Sequence, residues 1–244
     1  VSQSVRRAAR ILDAIAAKPK TVAELAVEFG LHRSTMFREL QTLEDVGFAR
    51  RRSDGSYVLA FHLVSLAQVA LENLDLRQAA SAHVRELHEV VGNTLHVAAL
   101  IDDTIVYVDK VEDQGGVRMY SRIGSRVLPH CTGVGKAILA DLDGTRRDAV
   151  LAGTDWTPHT ARTITSRADL DAELDAVSAR GWAVDDAEFE DFVNCVAVPI
   201  RSPVGVVGAL SLTAIRMVQD LDELALRVPL LQRTAARIAR EIGW

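Results

Sequence analysis

The sequence predicts a protein of two parts: a helical, winged helix-turn-helix module over residues 1–60, followed by an α+β domain built on one mainly antiparallel sheet. Three observations predict this. Apolar residues recur at helical spacing through the first 46 residues and again from 61 to 91, whereas strand-like runs dominate only beyond Gly92. Charge is also divided unevenly. The 244 residues carry a net −5, yet residues 1–60 hold ten Lys/Arg against seven Asp/Glu, so this part carries +3 and the remainder −8. A basic module beside an acidic domain suits a protein that meets a polyanion through one end only.

The first helix is predicted over 5–17, with Ile11, Leu12 and Ile15 on one stripe, and Lys18-Pro19-Lys20 ends it. Thr21-Val-Ala-Glu24 reads as a capping box opening a short helix with Val22, Leu25, Ala26 and Phe29 inward. Gly30 turns the chain, and a third helix over 32–46 buries Met36, Leu40 and Leu43 before Gly47 stops it. Residues 48–52 and 56–59 alternate as strands around Ser53-Asp54-Gly55, a hairpin that makes the wing.

Two helices follow, over 61–73 (Leu63, Leu66, Ala67, Ala70 and Leu74 in register) and 76–91 (Ala79, Ala82, His83 and Leu87), with Asp75 as a cap for the second. Residues 94–101 and 104–111 form a hairpin through Asp102-Asp103, and 117–121 adds a possible strand. Helices are expected over 133–142, 146–151, 166–180 and 222–242, and strands over 182–185, 195–200 and 204–215.

With 48% hydrophobic and 25% charged residues the chain has material for a core and does not read as disordered. No run spans a bilayer, and residues 1–17, with Arg6, Arg7, Arg10 and Asp13, lack the apolar stretch of a signal peptide. Cys131 and Cys195 make neither a disulfide framework nor a metal knuckle. A soluble cytoplasmic protein without cofactor is expected.

A short helix, a Gly turn and a second helix with a basic polar face are the parts of a DNA reader. On the third helix Ser34, Arg38 and Gln41 lie opposite the Met36/Leu40/Leu43 stripe, with Arg33 and Thr35 at its amino-terminal end. Arginine grips guanine or phosphate, and hydroxyls suit phosphate. Arg50, Arg51 and Arg52 on the wing would follow the backbone or a minor groove. Phe37, beside the stripe, either packs inward or touches a thymine methyl. The plainer alternative is a solvated helical hairpin with scattered arginines.

His130-Cys131-Thr132-Gly133-Val134-Gly135-Lys136 is a glycine-containing turn leading into a helix, which leaves backbone N–H groups near Gly133 and Val134 free to face an anion such as a carboxylate. It lacks the upstream Gly and following Ser/Thr of a phosphate-binding loop. Close packing at the glycines is the competing explanation.

The segments SVRRAARILDAIA, TVAELAVEFGLHRSTMFRELQTLEDVGF, DGSYVL, HCTGVGKAILA and RGWAVDDAEFEDFVNCVAVPI strongly resemble the IclR family of bacterial transcriptional regulators, over about residues 4–242. The resemblance implies a winged helix-turn-helix on palindromic operator DNA, a linker helix over 61–74, a GAF-like effector-binding domain over 75–244, and dimers often paired into tetramers. It implies a pocket for a small carboxylic acid formed by Gly133, Val134, Asp185, Cys195, Ser211 and Thr213, with Met119 and Val127 at apolar wall positions. Thr213 stands where a Ser is common, Ala214 where a Gly often follows, and Phe192-Val193-Asn194-Cys195 where Gly-Leu-Arg-Cys is usual. Repression or activation then depends on where the operator lies.

A rival reading makes His130, Cys131, Cys195, Asp185 and His96 a cysteine hydrolase or metal enzyme, but none of these has a local signature. Cys195 as a redox sensor lacks a basic neighbour in sequence. His96 on a buried strand reads as a satisfied core histidine.

Overall fold

The computed structural model describes residues 3–72, 75–112 and 121–242, in two compact units, Val1–Asn73 and Leu74–Trp244. The first unit contains α1 (Gln3–Ala17), β1 (Lys20–Thr21), α2 (Val22–Glu28), α3 (Arg33–Asp45), β2 (Ala49–Arg51), β3 (Ser56–Leu59) and α4 (His62–Glu72). Its core gathers Ile11, Ile15, Leu25, Met36, Leu40, Leu43 and Tyr57. The capping box forms as its sequence dictates: Glu24 N–H donates to Thr21 Oγ1 and Thr21 N–H to Glu24 Oε2. Gly30 and Gly47 take φ of +64° and +75°, where a side chain would be strained.

Two features of this unit differ from expectation, and a third, the side Phe37 takes, was left open by the sequence. Lys20 and Thr21 form a strand paired with Tyr57 and Ser56, so the wing is a three-stranded sheet in the order β1-β3-β2. Phe37 points outward. Leu66 and Ala67 on α4 are exposed where the sequence set them in an inward register; the Ala70 side chain and Leu74 lie outside the described residues.

The second unit runs α5 (Asp75–Val91), β4 (Thr94–Ile101), β5 (Thr104–Val111), α6 (Gly133–Leu139), α7 (Gly144–Leu151), α8 (Arg167–Arg180), β6 (Ala183–Asp186), β7 (Val193–Ser202), β8 (Gly205–Ile215), α9 (Leu221–Ala225) and α10 (Val228–Glu241). The five strands make one antiparallel sheet ordered β5-β4-β8-β7-β6. Alternation along each strand divides the core. Leu95, Val97, Val196, Leu210 and Leu212 face α5, α9 and α10. Ala98, Ala197 and Ala209 face α6, α7 and α8. Gly181 closes α8 at φ +80°.

Four predicted details change here. The helix expected over 222–242 is two helices, because Pro229 lacks an N–H and crowds the carbonyl of Ala225, so it opens α10 instead of extending α9. Asp75 lies inside α5 and does not cap it, while Ala82 is exposed and Ala80 and Val84 are buried in its stead. The helix expected to reach residue 142 closes at Leu139. The possible strand over 117–121 lies, but for Ser121, outside the described residues. No helix among the described residues is long and apolar enough to cross a membrane.

Candidate functional site

The second helix of the amino-terminal pair, α3, presents a polar face. Arg33, Ser34, Arg38 and Gln41 are exposed and Thr35 is half-buried, opposite the buried Met36, Leu40 and Leu43. His32 caps the helix, its ring Nδ1 lying 2.9 Å from Ser34 Oγ, a contact the sequence did not announce. Arg33, Arg38 and Arg50 form no ion pair with a described acid, whereas Arg7 is held by Glu39 and Arg10 lies over the Phe29 ring. On the wing Arg50, Arg51 and Arg52 are all exposed, with Arg52 3.8 Å from Asp54. The backbone N–H of Arg51 donates to Glu44 Oε1 on α3, tying the wing to the helix that carries the other arginines.

In the carboxy-terminal unit one small cavity, of about 40 Å³, is lined by Gly133, Val134, Asp185, Cys195, Ser211 and Thr213. Strand register explains the gathering. Asp185 pairs with Cys195 and Cys195 with Thr213; Ser211 pairs with His96 on the neighbouring strand. Residues 195, 211, 213 and 96 all project from the face that α6 covers. Thr132 caps α6, accepting from Gly135 N–H and donating to Leu128 O, while the Gly133 and Val134 amides have no acceptor among the described residues. A Cβ at Gly133 would lie 3.0 Å from Cys195 Sγ and 3.2 Å from the Ala197 Cβ, so glycine lets α6 start this close to β7 without crowding either.

Val127 is not part of the lining; it packs in the core with Ile105 and Val134. Met119 lies outside the described residues. The cavity also takes His96, Tyr107 and Val193 from the strands and Ser121, Phe189 and Glu190 from the segments between elements, which local pattern could not place because their neighbours in space are far off in sequence. His96 is buried, as a core histidine would be, but it forms the cavity wall, with Nε2 2.7 Å from Ser121 Oγ.

Electrostatics follow from burial. Asp185 is pushed up to about 7 by desolvation, with the Glu188 carboxylate adding to the effect, although Asp185 Oδ1 accepts the Glu188 N–H at 2.7 Å. His96 is pushed down to about 3 by burial and by the charge of Lys110. Burial raises both thiols, Cys131 and Cys195, to about 12, with Asp185 contributing to each. Both are therefore protonated and poor nucleophiles. His130, 5.1 Å from the Trp156 ring, is not in the lining. Among the described residues no three His, Cys, Asp or Glu side chains converge as a metal site requires.

Comparisons with known proteins agree with this arrangement. Residues 4–53 match the IclR helix-turn-helix domain and residues 68–240 the bacterial transcriptional regulator IclR C-terminal domain. The chain is similar to the HTH-type transcriptional regulator KdgR of Escherichia coli, with 34% identity over 91% of this chain and 86% of the relative. It is similar to XynR of the same organism at 33% identity, covering 100% and 98%. The crystal structure of Thermotoga maritima IclR superposes with a TM-score of 0.80 at 30% identity, covering 99% of each chain. The chain belongs to the IclR family: it is a transcriptional regulator and not an enzyme, with a helix-turn-helix that binds DNA and an IclR carboxy-terminal domain.

Proposed function

We propose that this protein is a one-component regulator, acting in the cytoplasm, in which residues 1–60 hold a palindromic operator, 61–74 serve as linker, and residues 75–244 bind a small carboxylic acid that alters DNA binding. Arg33, Arg38 and Gln41 would meet base edges, Ser34 and Thr35 phosphate, and Arg50, Arg51 and Arg52 the neighbouring backbone. A homodimer, itself able to pair, would present the module twice. Exposed apolar side chains, Val64 and Leu66 on α4 and Phe61 just before it, support that reading, since apolar surface of this kind favours a covering partner.

The observation that carries the effector reading is the convergence of Gly133, Val134, Asp185, Cys195, Ser211 and Thr213 on one cavity. The two amides would take the carboxylate, and Asp185 with the hydroxyls a second polar group. Coupling requires that the acid bind two arrangements of the protein with different affinity, since tight binding alone shifts nothing.

The test is a salt-dependent gel shift on DNA upstream of the protein's own gene, repeated with a panel of organic acids. Specific binding that an acid weakens or strengthens is expected. Specific binding indifferent to every acid would overturn the effector reading and leave the regulator standing.

A further inference from the structure

Phe37 differs from the other two phenylalanines of the first 60 residues. Phe29 and Phe48 pack against the core of the amino-terminal unit. Phe37 is neither in that core nor packed against it, and it stands 38% exposed. Every other exposed residue of α3 is polar or charged. Helical spacing sets the ring inside that polar face. Residues four apart lie one above the other, so Arg33, Phe37 and Gln41 form one row, with Ser34 and Arg38 beside it.

The face suits a polyanion. Arg33 and Arg38 form no ion pair with a described acid, Glu39 is engaged by Arg7, and Glu44 accepts from the Arg51 backbone. Phe37 is the fifth residue of α3, in the half of a recognition helix whose side chains reach base edges. An aromatic ring there cannot hydrogen-bond a base edge or a phosphate as its neighbours do. What a major groove offers an apolar side chain is the 5-methyl group of thymine, which no other unmodified DNA base carries.

Resting on the reading of α3 as the helix that enters the groove, we infer that Phe37 is a specificity residue that reads a thymine through its 5-methyl group. The arginines select by hydrogen bonds and charge. The ring adds a choice that involves neither, between thymine and any base lacking the methyl, uracil included. Burying one methyl against it is worth about fourfold in affinity.

The experiment uses the full chain and a duplex that it selects from a random-sequence pool, prepared once with thymine and once with uracil at every thymine position. The exchange removes the methyl groups and leaves the hydrogen-bonding edges intact. By fluorescence anisotropy the original chain is expected to bind the uracil duplex about fourfold more weakly for each methyl contacted. A scan of single exchanges should confine the loss to one thymine in each copy of the site. Phe37→Ala, shown to be folded by its melting curve, should bind both duplexes alike, with the salt slope of the original chain because the ring touches no phosphate. Equal binding of the two duplexes by the original chain overturns the inference, and this comparison needs no variant. A selected site without thymine, a loss spread evenly over the thymines, or a thymine preference that persists in folded Phe37→Ala overturns it too. In each of those cases Arg33→Ala and Arg38→Ala decide how far the failure reaches. If they weaken binding, α3 still enters the groove and only the role of the ring falls. If they do not, or if no sequence is selected, the reading of α3 falls with it.

Discussion

Lys136 Nζ donates to Glu188 Oε1 at 2.5 Å, with no part of the lysine exposed to solvent. The pair fixes the turn that follows β6, because the Glu188 N–H donates to Asp185 Oδ1 and the Thr163 hydroxyl donates to the Glu188 carbonyl at 2.6 Å. Asp185 thus owes its position in the cavity to an ion pair lying outside the lining. Removing one member leaves the other charged and buried, which is far costlier than removing both.

Lys136→Met should therefore destabilise the protein by about 3–5 kcal/mol, and Lys136→Met/Glu188→Leu should recover most of that loss. Glu173, 3.7 Å from Lys136, keeps Arg180 as a partner in either variant and does not confuse the comparison. Urea unfolding of the two variants checks this; equal losses would mean that the pair does not act as a unit.

The raised Asp185 sets a pH dependence of unusual sign. An unfolded aspartate loses its proton near pH ~4, but the folded one holds it up to about 7. Between those values the native state binds the extra proton, so stability falls as pH rises, by at most about 1.4 kcal/mol per pH unit, and stays lower above the window. Asp185→Asn removes the slope. Its stability relative to the original chain should grow from pH 5 to pH 8 in urea titrations, and a constant difference would contradict the assignment.

DNA binding should divide the arginines into two kinds. Arg33→Ala or Arg38→Ala should cost about 1–3 kcal/mol on the operator if each reads a base. Arg50→Ala should weaken binding on all sequences alike and lower the salt slope by about one. Fluorescence anisotropy at several salt concentrations measures both. Unchanged affinity in all three variants would move the contact surface elsewhere.

The thiols should be inert. With Cys131 and Cys195 buried and raised to about 12, thiolate is scarce at pH 8, and Ellman's reagent should react with neither until denaturant is added. Rapid native reaction at Cys195 would restore the redox-sensor reading.

Local signals were legible because their physics is local. Thr21 and Glu24 cap each other across three residues, Gly181 ends a helix by adopting a conformation that few other residues tolerate, and both could be read directly from the chain. The helical register of Leu63, Leu66 and Ala67 on α4 was visible too, but its spacing could not tell that Leu66 and Ala67 would be exposed. Features that depend on distant strands were not legible. Lys20-Thr21 becomes a strand only because Tyr57 and Ser56 lie alongside, and His96 joins the cavity wall only because register sets it against Ser211. The break at Pro229 was missed for another reason: the amphipathic pattern of Leu224, Val228 and Leu231 runs through it, so periodicity alone reads one helix where the backbone makes two.

Thr21 has a second role with mechanical consequences. The residue that caps α2 also pairs with Ser56 in the wing, and Arg51 is tied back to Glu44 on α3. The helices and the hairpin therefore move as one body. The backbone that carries Arg38 is thereby tied to the strand that carries Arg50, as the jaws of a calliper are tied to one frame. If Arg38 and Arg50 meet the duplex as proposed, a site whose groove and flanking backbone do not match that frame would have to bend to fit, and sequence preference would extend to base pairs that no side chain reaches.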